Sequence, residues 1–325
     1  MRVIAALFTG GTISMRVDEE AGGAVPSLSA EEILAAARGI EQVAEVRPEQ
    51  WGRFPGPHMT VERQWALRNR IAELLDRPDI HGVVVTHGTD TLEETAYLVA
   101  RSIAPGKPVV FTGAMRSASD LGWDGPANLL DAVTVAAAPE AEGIGTVVVM
   151  GGQLFAGLED AKTHTHDLAA FEAPGLGPLG VVDEGRVIIR RRLAGTAPVI
   201  APPAPAEPID IVTAWAGCDA RLLDASRETG ALGIVLAALG RGNVPPAMVP
   251  GIERWIAAGK PLVVASRAGQ GRVGQTYAYP GGGRRLHEMG AIFAGARRPH
   301  QARIDLMLGL GAGLPADELR AFFER

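Results

Sequence analysis

Four short runs in the first half of the chain, 3–8, 83–85, 109–111 and 147–150, consist almost wholly of Val, Ile, Leu, Ala, Phe and Met, with no polar residue inside them. Successive strand residues face opposite sides of a sheet, so a run that is apolar at every position must be buried on both sides. Stretches with apolar residues at helical spacing lie between the runs, at 30–38, 60–75, 91–103 and 126–137; in the second of these Trp65, Leu67, Ile71, Leu74 and Leu75 share one side. Strands alternating with helices specify a parallel sheet covered on both faces. The pattern resumes later: strands at 209–213, 232–237 and 261–265 alternate with helices near 219–229 and 247–258, and a final helical pair follows. Between the two halves, "TAPVIAPPAPAE" (196–207) has neither period and is broken by Pro198, Pro202, Pro203 and Pro205. That composition marks a linker. The expected architecture is two α/β domains: a larger N-terminal parallel-sheet domain (1–195) and a smaller C-terminal parallel-sheet domain (208–325), joined by this Pro-rich linker.

A length of 325 residues with 47% hydrophobic content is ample for two cores. The net charge of -6 gives no electrostatic reason to expect nucleic acid or an anionic membrane as partner. Cys218 is the only cysteine, which excludes an intrachain disulfide and a cysteine metal cluster. The opening apolar run is too short for a signal-peptide core and no segment reaches the length of a membrane span, so a cytoplasmic location is the expectation.

Ligands of an open parallel sheet bind beyond the carboxyl ends of the strands, where helix N-termini present unpaired N–H groups. Each strand-to-helix junction is therefore a candidate site. The first, "LFTGGTIS" (7–14), places Thr9 and Thr12 on either side of Gly10 and Gly11. It lacks the third glycine of a dinucleotide fingerprint and the Lys of a phosphate-binding loop. It offers a hydroxyl on a tight turn, which a plain strand-to-turn hydrogen bond would also explain. The second, "VVVTHGTDTLEETAYLV" (83–99), ends a buried strand in Thr86, His87, Gly88, Thr89, Asp90 and Thr91. A capping box, Thr91-x-x-Glu94 or Asp90-x-x-Glu93, accounts for one of these side chains. The others are surplus to starting a helix, and Gly88 lets backbone or ligand approach closely.

The third junction, "GAMRSASDLGWDGPANLLDAV" (113–133), is a long polar loop in which Asp124-Gly-Pro126 opens a helix. The fourth, "GLEDAKTHTHDLAAF" (157–171), brings Lys162, ordinarily a solvated surface amine, near the same sheet edge. His164 and His166 form an H-x-H pair that could hold a metal, yet no third His or Cys clusters with them. His287-Glu288 is not followed by the second His of a helical zinc site. The expectation is no metal and no cofactor.

Taken in order, these stretches and the later "GRGN" (240–243) resemble the L-asparaginase/glutaminase family of threonine amidohydrolases over almost the whole chain. The resemblance implies that Thr12 is the nucleophile toward a side-chain amide. It implies a second catalytic set of Thr89, Asp90 and Lys162, with Gly11 and Gly88 lining the substrate site and backbone N–H groups around Thr89 and Ala114 at the developing oxyanion. Asp90 would also face the substrate's amino group, and Asn243 would reach a neighbouring subunit's site in a homodimer, commonly doubled into a homotetramer. A threonine hydroxyl needs a base before it attacks, and a Lys–Asp–Thr relay can move that class of proton.

Three departures bear on substrate choice. The loop that usually supplies a Tyr reads "MRVDEEAGGAVPSLSAEE", with Ala24 at that position. The stretch that usually binds the substrate carboxylate through a Ser and a Gln or Ser reads "FPGPHMT", leaving Gly56, Pro57 and His58. The acid expected from a partner subunit is missing from "RVGQTYAYPGGG", where Tyr277 and Tyr279 are possible substitutes for the phenol. The expected function is hydrolysis of L-asparagine or a related small ω-amide. Alternatives are another amide in the same fold, a non-catalytic small-molecule sensor on this scaffold, and a metal hydrolase using His164 and His166.

Overall fold

The computed structural model describes residues 1–195 and 198–324. Positions 196 and 197 of the proline-rich stretch, and 325 of the C-terminal domain, lie outside the described residues; the rest of that stretch, 198–207, carries no regular structure. Two compact units emerge, Met1–Val199 and Ile200–Arg325.

The first unit is built on an eight-stranded sheet. From one edge its strands are Arg186–Ile189, Gly180–Asp183, Gln153–Ala156, Thr146–Met150, Val109–Thr112, Gly82–Thr86, Val3–Gly10 and Glu45–Phe54. The last five run parallel to one another. The first three join by antiparallel pairing, so the sheet is mixed where uniform parallel strands were expected. Two tight hairpins produce that edge. Gly151 and Gly152 have φ of 55° and 72° and join Thr146–Met150 to Gln153–Ala156. Glu184 and Gly185, at 47° and 72°, do the same between the two outermost strands. Two successive residues at positive φ match the twist of antiparallel strands.

Both faces are covered. Along Val3–Gly10, Ile4, Ala6 and Phe8 belong to one core, with Leu129, Val133 and Ala136 of the Gly125–Ala137 helix and Ile33 of the Ala30–Ala36 helix. The alternate residues Ala5 and Leu7 belong to the other, with Leu67, Ile71 and Leu74 of Val61–Asp76 and Leu92, Ala96 and Val99 of Leu92–Ser102. The helix expected at 30–38 ends at Ala36, and a short Ile40–Val43 helix follows. Glu45–Phe54 was not anticipated. It is an edge strand with Pro48 and charged Glu45, Arg47 and Glu49, and so lacks the apolar run that identifies a central strand.

The second unit carries four parallel strands in the order Ile209–Thr213, Gly233–Ala238, Leu262–Ser266, Ile292–Phe293. Leu223, Ile252 and Trp255 from its helices pack against Leu236 and Val264. The final pair is Pro299–Gly311 and Ala316–Glu324; the Gly283–Met289 helix before them was not expected. Among the described residues no helix is long and apolar enough to cross a membrane.

Candidate active site

The loops that follow the parallel strands of the first unit meet at backbone level. A Cβ added to Gly11, which has φ 80°, would run into the Gly88 backbone. One added to Gly88 would lie 2.5 Å from Gly56 Cα, and one added to Gly56 would press on Asp90 Cβ at 3.2 Å. The first, second and 56–58 loops therefore touch through glycines, with no room for a side chain between them. Gly11 N–H also donates to Phe54 O at 2.9 Å, and Thr9 Oγ1 donates to Thr86 O at 2.9 Å. Thr12 follows Gly11 directly, Thr89 follows Gly88, and so the two hydroxyls are carried on adjoining loops.

Thr89 is buried and accepts a hydrogen bond from Lys162 Nζ at 2.9 Å. The same ammonium meets Asp90 Oδ1 at 2.7 Å, its side chain only 15% exposed while that of Asp90 is 57% exposed. Lys162 is thus no solvated surface amine. It sits in a two-residue strand, Ala161–Lys162, paired antiparallel to Phe171–Glu172, and the returning loop is tied by Thr163 N–H to Ala170 O at 2.7 Å. His164 belongs to that loop: its Nδ1 accepts from Asp167 N–H at 2.9 Å and His166 N–H at 3.3 Å. Its proton-accepting nitrogen is committed to a turn, and among the described residues no group of three metal-type side chains forms.

The capping expectation at the second junction is corrected. The Leu92–Ser102 helix begins after Thr91 with no side-chain cap, because Thr91 Oγ1 donates instead to Gly56 O at 2.9 Å. Its hydroxyl holds a neighbouring loop. His87 is wholly buried, with Nδ1 2.9 Å from Gly88 O and Nε2 3.0 Å from Thr95 Oγ1. Gln64 Nε2 donates to the same Thr95 oxygen at 3.0 Å. Sequence reasoning missed Gln64 and Thr95. The available signal was a polar residue in the apolar stripe of each helix.

Asp124 precedes the Gly125–Ala137 helix and makes no side-chain cap to it. Its carboxylate accepts from Met115 N–H at 3.0 Å and Arg116 N–H at 2.9 Å. Buried Asn128 donates to Gly113 O and accepts from Gly151 N–H, each at 3.0 Å. These bonds fix Ala114, which is fully buried, at the end of its strand. Among the described residues, the N–H groups of Thr12, Thr89, Asp90 and Ala114 donate to no other group of the chain. The loops around the Thr89–Lys162 pair accordingly present spare donors.

Ala24 stands in a hairpin, Met15–Asp18 with Gly23–Pro26, opposite Val17. The hairpin is held by Val17 N–H to Ser119 Oγ and Ala118 N–H to Met15 O, both 3.0 Å. His58 is exposed at the end of a one-turn helix, Gly56–His58. In the second unit, Asn243 is half-buried, and its Oδ1 accepts from Gly283 N–H at 3.1 Å. Tyr277 and Tyr279 stack with ring centroids 5.6 Å apart and are 42% and 51% exposed.

Burial pushes the His87 imidazole from 6.5 down to about 4. Below pH 6.5 the unfolded chain protonates this residue while the folded protein does not, so the unfolded state binds more protons. Stability should therefore fall as pH drops from 6.5 toward 4, by about 3 kcal/mol from this group. Urea unfolding across this range should show a shallower acid loss in His87→Asn than in the parent; equal slopes would remove His87 from the account.

Against this geometry, comparisons with known proteins agree along the chain. The family model "Asparaginase, N-terminal" matches residues 3–194, and "Glutaminase/Asparaginase C-terminal domain" matches 208–323. A probable L-asparaginase of Deinococcus radiodurans is 38% identical over 323 residues, covering 98% of this chain and 96% of its own. A probable periplasmic L-asparaginase of Haemophilus influenzae is 31% identical over 329 residues, covering 99% and 92%. The crystal structure of a probable cytoplasmic L-asparaginase from Campylobacter jejuni superposes with a TM-score of 0.90 at 29% identity, with 100% of both chains covered. Relatives described for two compartments share this fold, so family membership does not fix the location. The chain belongs to the L-asparaginase/glutaminase family and is an amidohydrolase of the asparaginase type.

Proposed function

We propose that this amidohydrolase cleaves the side-chain amide of L-asparagine, or a closely related small ω-amide, through an ester formed on Thr12. Thr12 Oγ attacks the amide carbon as its proton leaves to a base, the C–N bond breaks, and ammonia departs with a proton. Water then hydrolyses the ester and regenerates the hydroxyl. The observation that carries this reading is Lys162 Nζ, held 2.9 Å from Thr89 Oγ1 and 2.7 Å from Asp90 Oδ1 on the loop that Gly88 keeps against Gly11 and so beside Thr12. A relay of that kind can take a proton and position water. The spare N–H groups of Thr89 and Ala114 are suited to a developing oxyanion, where one donor is worth roughly 3–4 kcal/mol. With Ala24 at the usual Tyr position, we assign the missing phenol to Tyr277 or Tyr279 of a neighbouring subunit.

Ammonia release over L- and D-asparagine, L-glutamine, succinamate and asparaginyl peptides defines the substrate. Thr12→Ala should abolish turnover with the fold intact; turnover at the parent rate would refute the ester. Lys162→Met and Asp90→Ala should each lower kcat by about 10³-fold or more, and the double variant by little more, because members of one unit are not additive. Fully additive losses would give the two residues separate tasks.

The stretch that the resemblance assigns to the substrate carboxylate offers few donors. Pro57 has no N–H, His58 N–H is used on Pro55 O at 2.9 Å, and Met59 N–H on Gly56 O at 3.1 Å. Among the side chains of Gly56, Pro57 and His58, which the resemblance assigns to this contact, only the His58 imidazole is a donor. Free L-asparagine should therefore have a KM of about 1 mM or higher, and His58→Ala should raise it further. A micromolar KM unaffected by His58→Ala would place the carboxylate elsewhere.

The proposed assembly is an intimate dimer, doubled or not, with Asn243 completing the neighbour's site. Its Nδ2 donors are unspent among the described residues. Thr12→Ala and Asn243→Ala chains, unfolded together and refolded, should regain up to about a quarter of parental activity, since half the dimers are mixed and each has one intact site. Mixed dimers with no recovery beyond the parents' mean would exclude a shared site.

A further inference from the structure

His87 is buried, titratable and absent from the chemistry just described, yet it touches the backbone that the chemistry would use. Gly88 C=O and Thr89 N–H belong to one planar trans peptide and point in opposite directions. Glycine permits that plane to rotate at little cost. The carbonyl can only accept, so the 2.9 Å contact makes His87 Nδ1 the donor. Nε2 of the neutral ring must then accept, and Thr95 Oγ1–H is its donor at 3.0 Å. Thr95 Oγ1 in turn accepts from Gln64 Nε2 at 3.0 Å, which completes an ordered chain of donors. Phe111 sets the ring plane edge-on, with centroids 6.2 Å apart.

We propose that His87 is a positioning residue: by holding the Gly88 carbonyl inward it aims Thr89 N–H outward, toward the substrate carbonyl oxygen. The inference rests on the proposed function, in which that N–H serves the oxyanion. The neutral ring that it requires is consistent with the depressed basicity of the buried imidazole. Thr95 Oγ1 also lies 3.2 Å from Thr91 O, so the hydroxyl has an alternative acceptor within its own helix. When the ring is removed, that bond takes over and the Gly88 carbonyl loses its donor.

The test compares His87→Leu, which removes both ring bonds, with His87→Asn, whose amide can donate from about the place of Nδ1, and with Thr95→Val. An oxyanion donor acts mainly in the transition state, so the loss should fall on kcat. His87→Leu should lower kcat about 10²-fold, with KM changed by less than about threefold. His87→Asn should recover most of that loss, and Thr95→Val should fall between. Thermal midpoints are measured beside the kinetics. If His87→Leu does not fold, Thr95→Val decides: a kcat loss without a matching drop in midpoint supports the role. Folded variants at the parental kcat, or a loss confined to KM, would overturn it. Thr12→Ala, assayed in parallel, separates this failure from the larger one. An inactive Thr12→Ala beside fully active His87 and Thr95 variants leaves the ester mechanism standing and removes only the positioning role.

Discussion

Three backbones meet at Gly11, Gly88 and Gly56 with no side chain between them, and the rest of the site depends on that contact. A β-carbon at the Gly88 position would force the loops apart in a region already packed against the sheet, and overpacking of this kind costs about 1–3 kcal/mol. The contact also fixes which residues can cooperate. Each of Gly11 and Gly88 is followed by a threonine, so joining the glycines brings Thr12 and Thr89 onto adjoining loops. Lys162, 73 positions beyond Thr89 in sequence order, reaches it because the Ala161–Lys162 strand is returned by its own small hairpin.

The crowded end of the Gly82–Thr86 strand then divides into distinct tasks. Thr86 offers its carbonyl to Thr9, and Thr91 spends its hydroxyl on Gly56 O. His87 is committed to Gly88 O, while Thr89 and Asp90 share the Lys162 ammonium. None of these side chains caps the helix that follows; His87, Thr89, Asp90 and Thr91 instead hold loops and a largely buried ammonium together. Unpaired polar groups at such depth would each cost about 1–3 kcal/mol. Pairing of His87, Thr89 and Thr91 avoids that cost, whereas the Thr86 hydroxyl is buried without a partner among the described residues.

The sequence alone determined the strand–helix alternation, because burial on two faces leaves an unbroken apolar run that is visible without coordinates. It also determined the two-unit division of the fold and, through motifs in fixed order, the family. It was weaker at edges. Glu45–Phe54 carries Pro48 and alternating charge, the features that protect an exposed edge, and these hide its strand character. The antiparallel edge was signalled only by Gly151-Gly152 and Glu184-Gly185, short turns whose hairpin meaning depends on what pairs beside them.

Tertiary structure alone decided where each polar side chain spends its hydrogen bonds. Thr91 reads as a helix cap and is a loop clamp; Asp124, which reads only as part of a helix opening, is an acceptor for Met115 and Arg116 N–H groups. Lys162 reads as a surface amine and is a largely buried partner of Asp90. A hydrogen bond is made to whatever lies within about 3 Å, and that neighbour is set by how distant segments fold together. Local sequence fixes a residue's donors and acceptors, whereas the assembled sheet fixes where they are spent.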